Sequence, residues 1–181
     1  MYCDPLQINL NDISYIIRPM EVEDAQQALT FMKRMYEDSP YLTRYADEWN
    51  LGIEDEVAYI KMNREAADML LCGVFFEEKM IGIGSWAAVG RVFKVSHRCT
   101  TSIAVSPEYQ GKGIGAALMD LLVAQARNAG FEQMELEVVS DNVAAVRLYE
   151  KLGFKRYGTL QRGFRNRDGS YCDLVGMVLS L

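Results

Sequence analysis

The chain has 181 residues, of which 50% are hydrophobic and 24% charged, and its formal net charge is −6. This length suits one domain that buries about 70% of the surface its unfolded chain would expose. The composition excludes a disordered or low-complexity polymer, and the acidic balance makes nucleic acid and an anionic bilayer poor default partners.

The elements are taken in chain order. Residues 1–14 read as an extension ahead of the fold. Tyr15 to Arg18 is a short β-like run ending at Pro19. Glu21 to Asp38 reads as a helix, because Ala25, Ala28, Leu29, Met32 and Met35 recur at three- and four-residue spacing, and Ser39-Pro40 stops it. An acidic and aromatic stretch follows, with Tyr41, Tyr45 and Trp49 among carboxylates that peak between Glu37 and Glu56. A solvated face explains these charges, and so does a mouth that attracts a cationic group. A second helix spans Glu54 to Asp68. Leu70–Phe76 and Met80–Val89 form an antiparallel hairpin across Glu77-Glu78-Lys79. Arg98 to Val105 is the next strand. Ile114 to Asn128 is an amphipathic helix closed by Gly130. Met134 to Val139 alternates as a half-buried strand. Ser140 or Asp141 is expected to cap a short helix over Asn142 to Leu152. Phe154–Gln161 and Tyr171–Leu179 are the last strands, joined by a loop containing Arg167-Asp168-Gly169. This is a single mixed α/β domain.

Cys3, Cys72, Cys99 and Cys172 contain no CxxC pair, and His97 is the single histidine. No metal spacing results, so no metal site is expected. The first ten residues carry neither a basic nor an apolar leader segment, which with scattered, reduced-type thiols predicts a cytoplasmic protein.

The most informative stretch is Val105-Ser106-Pro107-Glu108-Tyr109-Gln110-Gly111-Lys112-Gly113-Ile114-Gly115-Ala116. A strand ends, a turn follows, and glycines at alternate positions open a helix. The first turn of a helix has N–H groups without internal partners, and these donors with the helix dipole bind anions. Glycines leave room for a phosphate to approach the backbone. A P-loop does not fit, since Gly113 rather than Ser or Thr follows Lys112. The dinucleotide pattern is formally met by Gly111, Gly113 and Ala116. Against it stand a half-polar preceding strand, the five residues between Val105 and Gly111, and the short chain remaining. A plain strand-to-helix turn is the bland alternative.

Read together, Gln110 to Gly115 resembles the acyl-CoA-binding motif of the Gcn5-related N-acetyltransferase (GNAT) superfamily. The run Asn142-Val143-Ala144-Ala145-Val146-Arg147-Leu148-Tyr149-Glu150-Lys151-Leu152-Gly153-Phe154 is similar to that family's second signature. The resemblance covers roughly Ile16 to Leu179, and within the family it is to small bacterial amino-acid or amine acetyltransferases. It implies a GNAT domain over residues 15–181, with a mixed sheet of about seven strands and about four helices. Two parallel strands, Arg98–Val105 and Met134–Val139, would splay apart to admit acetyl-CoA as co-substrate. On this resemblance Ile103, Ala104 and Val105 line the cofactor arm, Gln110, Gly111, Lys112, Gly113, Ile114, Gly115 and Ala116 hold the pyrophosphate, and Asn142 hydrogen-bonds the arm. Tyr149 is the expected acid for the departing thiolate, with a core aromatic as its bland alternative. Glu77, Glu78, Glu135, Glu137, His97 and a water chain are all open as the base. Tyr41, Tyr45 and Trp49 are expected to contact an acceptor, a small amine carrying positive charge. A protein N-terminus or lysine, a non-catalytic acyl-CoA-binding module and a Rossmann-type nucleotide binder are the other readings. A homodimer is left open.

Overall fold

Leu70 to Phe75 are all buried along one strand, because the sheet to which it belongs is covered on both faces. Leu70, Cys72 and Val74 turn into one core, while Leu71 and Phe75 turn into another. The computed structural model describes residues 3–181. Its elements in chain order are β1 (Leu6–Leu10), β2 (Ile13–Pro19), α1 (Ala25–Asp38), α2 (Ile53–Glu65), β3 (Met69–Phe76), β4 (Lys79–Ala88), β5 (Arg98–Val105), α3 (Ile114–Asn128), β6 (Gln133–Val139), α4 (Val143–Lys151), β7 (Lys155–Arg165) and β8 (Tyr171–Ser180). The strands form one sheet in the order β1-β2-β3-β4-β5-β6-β8-β7. The first core joins the sheet to α3 and α4 through Ile114, Leu118, Leu122, Val146 and Tyr149. The second joins it to α1 and α2 through Ala28, Phe31, Met35 and Ile60.

The sheet has eight strands rather than about seven. The additional one is β1, inside the stretch expected to lie ahead of the fold. It pairs antiparallel with β2 from Leu6↔Ile17 to Leu10↔Ile13. Asn11 and Asp12 turn the chain between them with φ of 51° and 62°, the left-handed pair that a two-residue hairpin needs. Residues 1 and 2 of that stretch lie outside the described residues.

Against expectation, α2 ends at Glu65 rather than Asp68 and β7 runs on to Arg165 rather than Gln161, and at two further helix starts the departure has a local reason. The helix expected from Glu21 begins at Ala25, after a 3-10 turn over Val22–Asp24. Asp24 accepts from the Glu21 N–H at 2.8 Å and from both terminal nitrogens of Arg18. Neither Ser140 nor Asp141 caps α4. Asn142 does, its Oδ1 accepting from the Ala145 N–H at 3.2 Å.

Every neighbouring pair of strands is antiparallel except β5 and β6. A parallel pair needs a crossover, and here it is α3. The parallel ladder holds only three pairs, Arg98↔Gln133, Cys99↔Met134 and Thr100↔Glu135. Beyond them β5 stays on β4 as far as Val105↔Gly82, while β6 stays on β8 as far as Val139↔Leu174. The sheet therefore opens between β5 and β6 along the second half of both strands.

Candidate active site

The opening has backbone groups aimed into it. Ser106 donates its N–H to the Ile81 carbonyl at 2.9 Å. In an antiparallel ladder this makes Val105↔Gly82 a non-hydrogen-bonded pair, so alternate residues of β5 face away from β4. Ile103 and Val105 thus direct their N–H and C=O groups toward the opening, and Ala104 pairs with Ile83 instead. The Val105 carbonyl is already taken, because Gln110 donates to it from Nε2 at 2.9 Å. Gln110 acts by folding the loop back onto the end of β5.

The glycine loop closes that end. Gly111 has φ of 72° and Gly113 φ of 90°, conformations that disfavour any residue with a Cβ. A Cβ on Gly111 would meet nothing within 4 Å, and one on Gly113 would reach only Leu10 of β1, at 3.6 Å. Gly113 is also the residue from which α3 starts. Gly111, Lys112 and Gly113 are exposed, Gly115 and Ala116 are half-buried, and Ile114 alone is buried as the helix's core anchor. Lys112 lies over the Tyr109 ring at 4.9 Å. A Cβ on Gly115 would stand 3.3 Å from Leu148 and 3.6 Å from Ile103, so the absent side chain lets β5, α3 and α4 converge. A cradle of free helix-start donors beside an unzipped strand fits a pyrophosphate with an extended arm.

Asn142 and Tyr149 share α4, seven residues apart and so on one face. Tyr149 is 7% exposed and packs edge-on against Phe154, with ring centroids 5.7 Å apart. Burial pushes its phenol up to about 12. At neutral pH it therefore holds a proton that it can give to a thiolate.

The five side chains named as possible bases are sorted by position. Side chains alternate between sheet faces, so Met134, Leu136 and Val138 enter the α3/α4 core while Glu135 and Glu137 turn to the α1/α2 face. Glu135 sits where the parallel ladder is still closed, and both its oxygens are held by Arg98, at 2.5 and 2.7 Å. That guanidinium keeps its carboxyl below the usual range. Glu77 and Glu78 form the β3–β4 turn with positive φ, and β5 lies between that hairpin and the opening. His97 lies at the opposite end of β5, where its carbonyl accepts the N–H groups of Glu132 and Gln133. Glu137 is two residues beyond Glu135, past the last parallel pair and exposed. Its partner on β8 is Gly176, and the Tyr157 phenol fills the place a side chain there would take, within 2.7 Å of an added Cβ. Cys99 is fully buried, with a thiol pushed up to about 12, and is no nucleophile at neutral pH.

The aromatic and acidic stretch after α1 crosses the mouth of the opening as a strap. At one end Arg34 of α1 is paired with Glu108 beside the glycine loop. At the other, Arg167 of the β7–β8 loop meets the strap three ways. Its N–H donates to the Tyr45 hydroxyl at 3.1 Å, its guanidinium lies 4.1 Å from the Tyr45 ring centre, and it pairs with Asp47 at 2.6 Å. Trp49 packs on Tyr36 at 5.0 Å with Arg44 over its ring at 5.5 Å, and its indole N–H is buried without a partner. Tyr41 is exposed. The features expected to draw an external cation are thus answered by the chain's own arginines. Arg167 was not singled out from the sequence, where it reads as one more charge in a polar loop.

A cavity of about 180 Å³ lies under the strap, between Ser39–Tyr45 and Gly163–Asn166. Among the described residues no group of side chains could hold a metal ion, and no helix is long and apolar enough to cross a membrane.

A splayed parallel pair, a glycine-rich helix start in its mouth and a tyrosine on the next helix define an acyltransferase architecture. The model of the Acetyltransferase (GNAT) family matches residues 27–154, and the chain belongs to that family. It is 39% identical over 84 residues to the uncharacterized N-acetyltransferase YobR of Bacillus subtilis, covering 46% of this chain and 33% of YobR. It is 36% identical over 80 residues to the [ribosomal protein bS18]-alanine N-acetyltransferase of Escherichia coli, covering 44% of this chain and 53% of that enzyme. The chain thus matches about half or less of these relatives' lengths. In fold it is similar to a GNAT acetyltransferase from Streptococcus pneumoniae, with TM-score 0.88 and 24% identity over 92% of this chain and 99% of that one. It is also similar to yncA from Salmonella typhimurium, solved with its cofactor acetyl-CoA, with TM-score 0.81 and 21% identity over 91% and 92%.

Proposed function

We propose that the chain transfers an acetyl group from acetyl-CoA to the primary amine of a small molecule. The observation that carries this reading is the coincidence of the β5–β6 opening with the exposed helix-start donors of Gly111, Lys112 and Gly113. The fold relatives solved with acetyl-CoA support the same donor. Acetyl-CoA supplies the acyl group as a thioester. The N–H groups from Gly111 to Ala116 would hold its pyrophosphate, and the free groups of Ile103 and Val105 with the Asn142 amide would align its arm.

Glu137 and Tyr149 stand on opposite faces of the opening. Glu137, on the α1/α2 face, takes a proton from the incoming ammonium. The amine nitrogen then forms its bond to the acyl carbon as the carbon–sulfur bond breaks. Tyr149, on the α3/α4 face, gives its proton to the departing sulfur. No acyl-enzyme is needed. Likeness to the bS18-alanine enzyme favours a second reading, in which the amine is a protein N-terminus. The strap across the mouth favours the small acceptor, because it narrows the approach to Glu137.

The test is thiol release from acetyl-CoA with a panel of small amines and of peptides with free N-termini. Small amines should be used, and Glu137→Gln should lower kcat at least tenfold with acetyl-CoA affinity, read by calorimetry, unchanged. Thiol release only with peptides would establish the second reading. Absence of acetyl-CoA binding would overturn both.

A further inference from the structure

We infer that Tyr157 binds the acceptor: its ring and the Glu137 carboxylate together form the seat that receives the acceptor's ammonium group. This rests on the acetyltransferase reading and adds an acceptor contact to it. β7 and β8 pair Arg156↔Met177 and Gly158↔Gly176, so Tyr157 is the extra residue of a bulge. A bulge re-aims the side chain it inserts. Here the ring is laid across β8 onto Gly176, where an added Cβ would stand 2.5 Å from the ring carbon bearing the hydroxyl and 2.7 Å from the hydroxyl itself. Val175 and Met177, on either side of Gly176, enter the α3/α4 core. The ring therefore lies on the other face, the one that carries Glu137. A glycine inside a strand weakens it and marks a close approach. A bulge in one strand and a glycine in the next thus serve one placement.

That placement adjoins the reacting face, because Glu137 pairs directly with Gly176. Ser140 donates its N–H to the Asp173 carbonyl at 2.9 Å. Alternation back along the ladder makes Glu137↔Gly176 a non-hydrogen-bonded pair, the closer kind, with Cβ positions about 4.5–5.5 Å apart. The phenol occupies the Cβ position of Gly176, so it stands one cross-strand step from Glu137. The ring is also free. Tyr157 is 61% exposed, the most exposed tyrosine of the described residues, and its hydroxyl makes no hydrogen bond among them. Rings around the strap already carry cations, Arg167 over Tyr45 at 4.1 Å, Arg162 over Tyr171 at 3.9 Å and Arg44 over Trp49 at 5.5 Å. Among the described residues no cation lies over Tyr157. Arg98, close enough to feel a charge on this phenol, is neutralised by both oxygens of Glu135. An ammonium group set against this ring and the exposed Glu137 gains from the aromatic face and from the carboxylate together.

The experiment takes the best acceptor from the panel of small primary amines and peptides with free N-termini. Its KM and kcat are measured in the unmodified chain, Tyr157→Leu, Tyr157→Phe, Gly176→Ala and the double variant Tyr157→Leu/Gly176→Ala. Tyr157 is exposed, so its variants should fold. Tyr157→Leu should raise KM by about three- to thirtyfold, the span of a cation–π contact, with kcat nearly unchanged and acetyl-CoA affinity, read by calorimetry, unchanged. Tyr157→Phe keeps the ring face and should keep KM. Gly176→Ala displaces the ring and should raise KM likewise, and added to Tyr157→Leu it should do nothing more. An unchanged KM in Tyr157→Leu, a loss confined to kcat, a rise in Tyr157→Phe as large as in Tyr157→Leu, or a folded Gly176→Ala with unchanged KM each overturns the proposal. So does a chain that binds acetyl-CoA but uses no member of the panel. Should Gly176→Ala not fold, the two Tyr157 variants decide alone. Absence of acetyl-CoA binding in the unmodified chain would instead break the underlying acetyltransferase reading.

Discussion

At the scale of single residues, burial sets what Tyr149 can do. Its phenol is shifted from an ordinary value near 10 up to about 12 by burial, because a phenolate would be poorly solvated there. The unfolded chain therefore ionises first as pH rises. The contribution is complete below pH 10 and is lost between pH 10 and 12, about 2–3 kcal/mol over that interval. Tyr149→Phe should remove this part of the alkaline loss of stability, read as the urea midpoint against pH. The same substitution should lower kcat by roughly 10²–10⁴-fold while acetyl-CoA affinity holds. A variant with unchanged turnover would leave Tyr149 as a core aromatic stacked on Phe154. Glu135 and Glu137 make the complementary point. They lie two positions apart on one strand face, yet Arg98 holds the first in a bidentate pair and the second is exposed.

At the scale of elements, α4 begins on a residue with two separable jobs. The Asn142 carbonyl oxygen caps the helix by accepting from the Ala145 N–H, which leaves its amide hydrogens for a ligand. Asn142→Asp keeps an acceptor at the cap and removes the donor. It should leave thermal stability nearly unchanged and weaken acetyl-CoA binding. Asn142→Ala removes both and should also cost about 1 kcal/mol of stability. Calorimetry and thermal melts on the two variants check this. Equal binding by Asn142→Asp would show that the amide donates nothing to the ligand. The β3–β4 turn shows an element formed against local preference, since Glu77 and Glu78 both take positive φ. Gln27 compensates by donating to the Glu78 carbonyl and accepting from the Met80 N–H.

At the scale of the whole molecule, the two cores hold the sheet from either face while the strap ties its two halves across the opening. The tie rests on exposed groups, Arg167 with Asp47 and Tyr45, so salt weakens it. Arg167→Ala should leave the melting temperature nearly unchanged, speed limited proteolysis within residues 40–52, and raise KM for the acceptor several-fold. High salt should speed the same cleavage in the unmodified chain. Cleavage indifferent to both changes would show that the strap is held by Trp49 and Tyr36 alone. The N-terminal hairpin is the other long-range tie, since Leu10 of β1 packs beside Gly113 at the mouth of the cradle.

What the sequence determined by itself is what neighbours in the chain encode. The glycines at 111 and 113 carry the positive φ of the loop, the apolar stripe of Ile114, Leu118 and Leu122 carries α3, and the order of strands and helices follows from periodicity. β1 was legible only faintly, in Leu6, Ile8 and Leu10 alternating before Asn11-Asp12. An edge strand is half exposed, and its pattern is correspondingly weak. The tertiary structure alone decided which charges are free. Arg98 and Glu135 are 37 residues apart and Arg167 and Asp47 are 120 apart, so no local pattern announces either pair. It likewise decided that β5 and β6 part after Thr100↔Glu135. The reason is physical. Backbone conformation depends on adjacent residues, whereas the charge left over at a site depends on which partners the fold brings within about 4 Å.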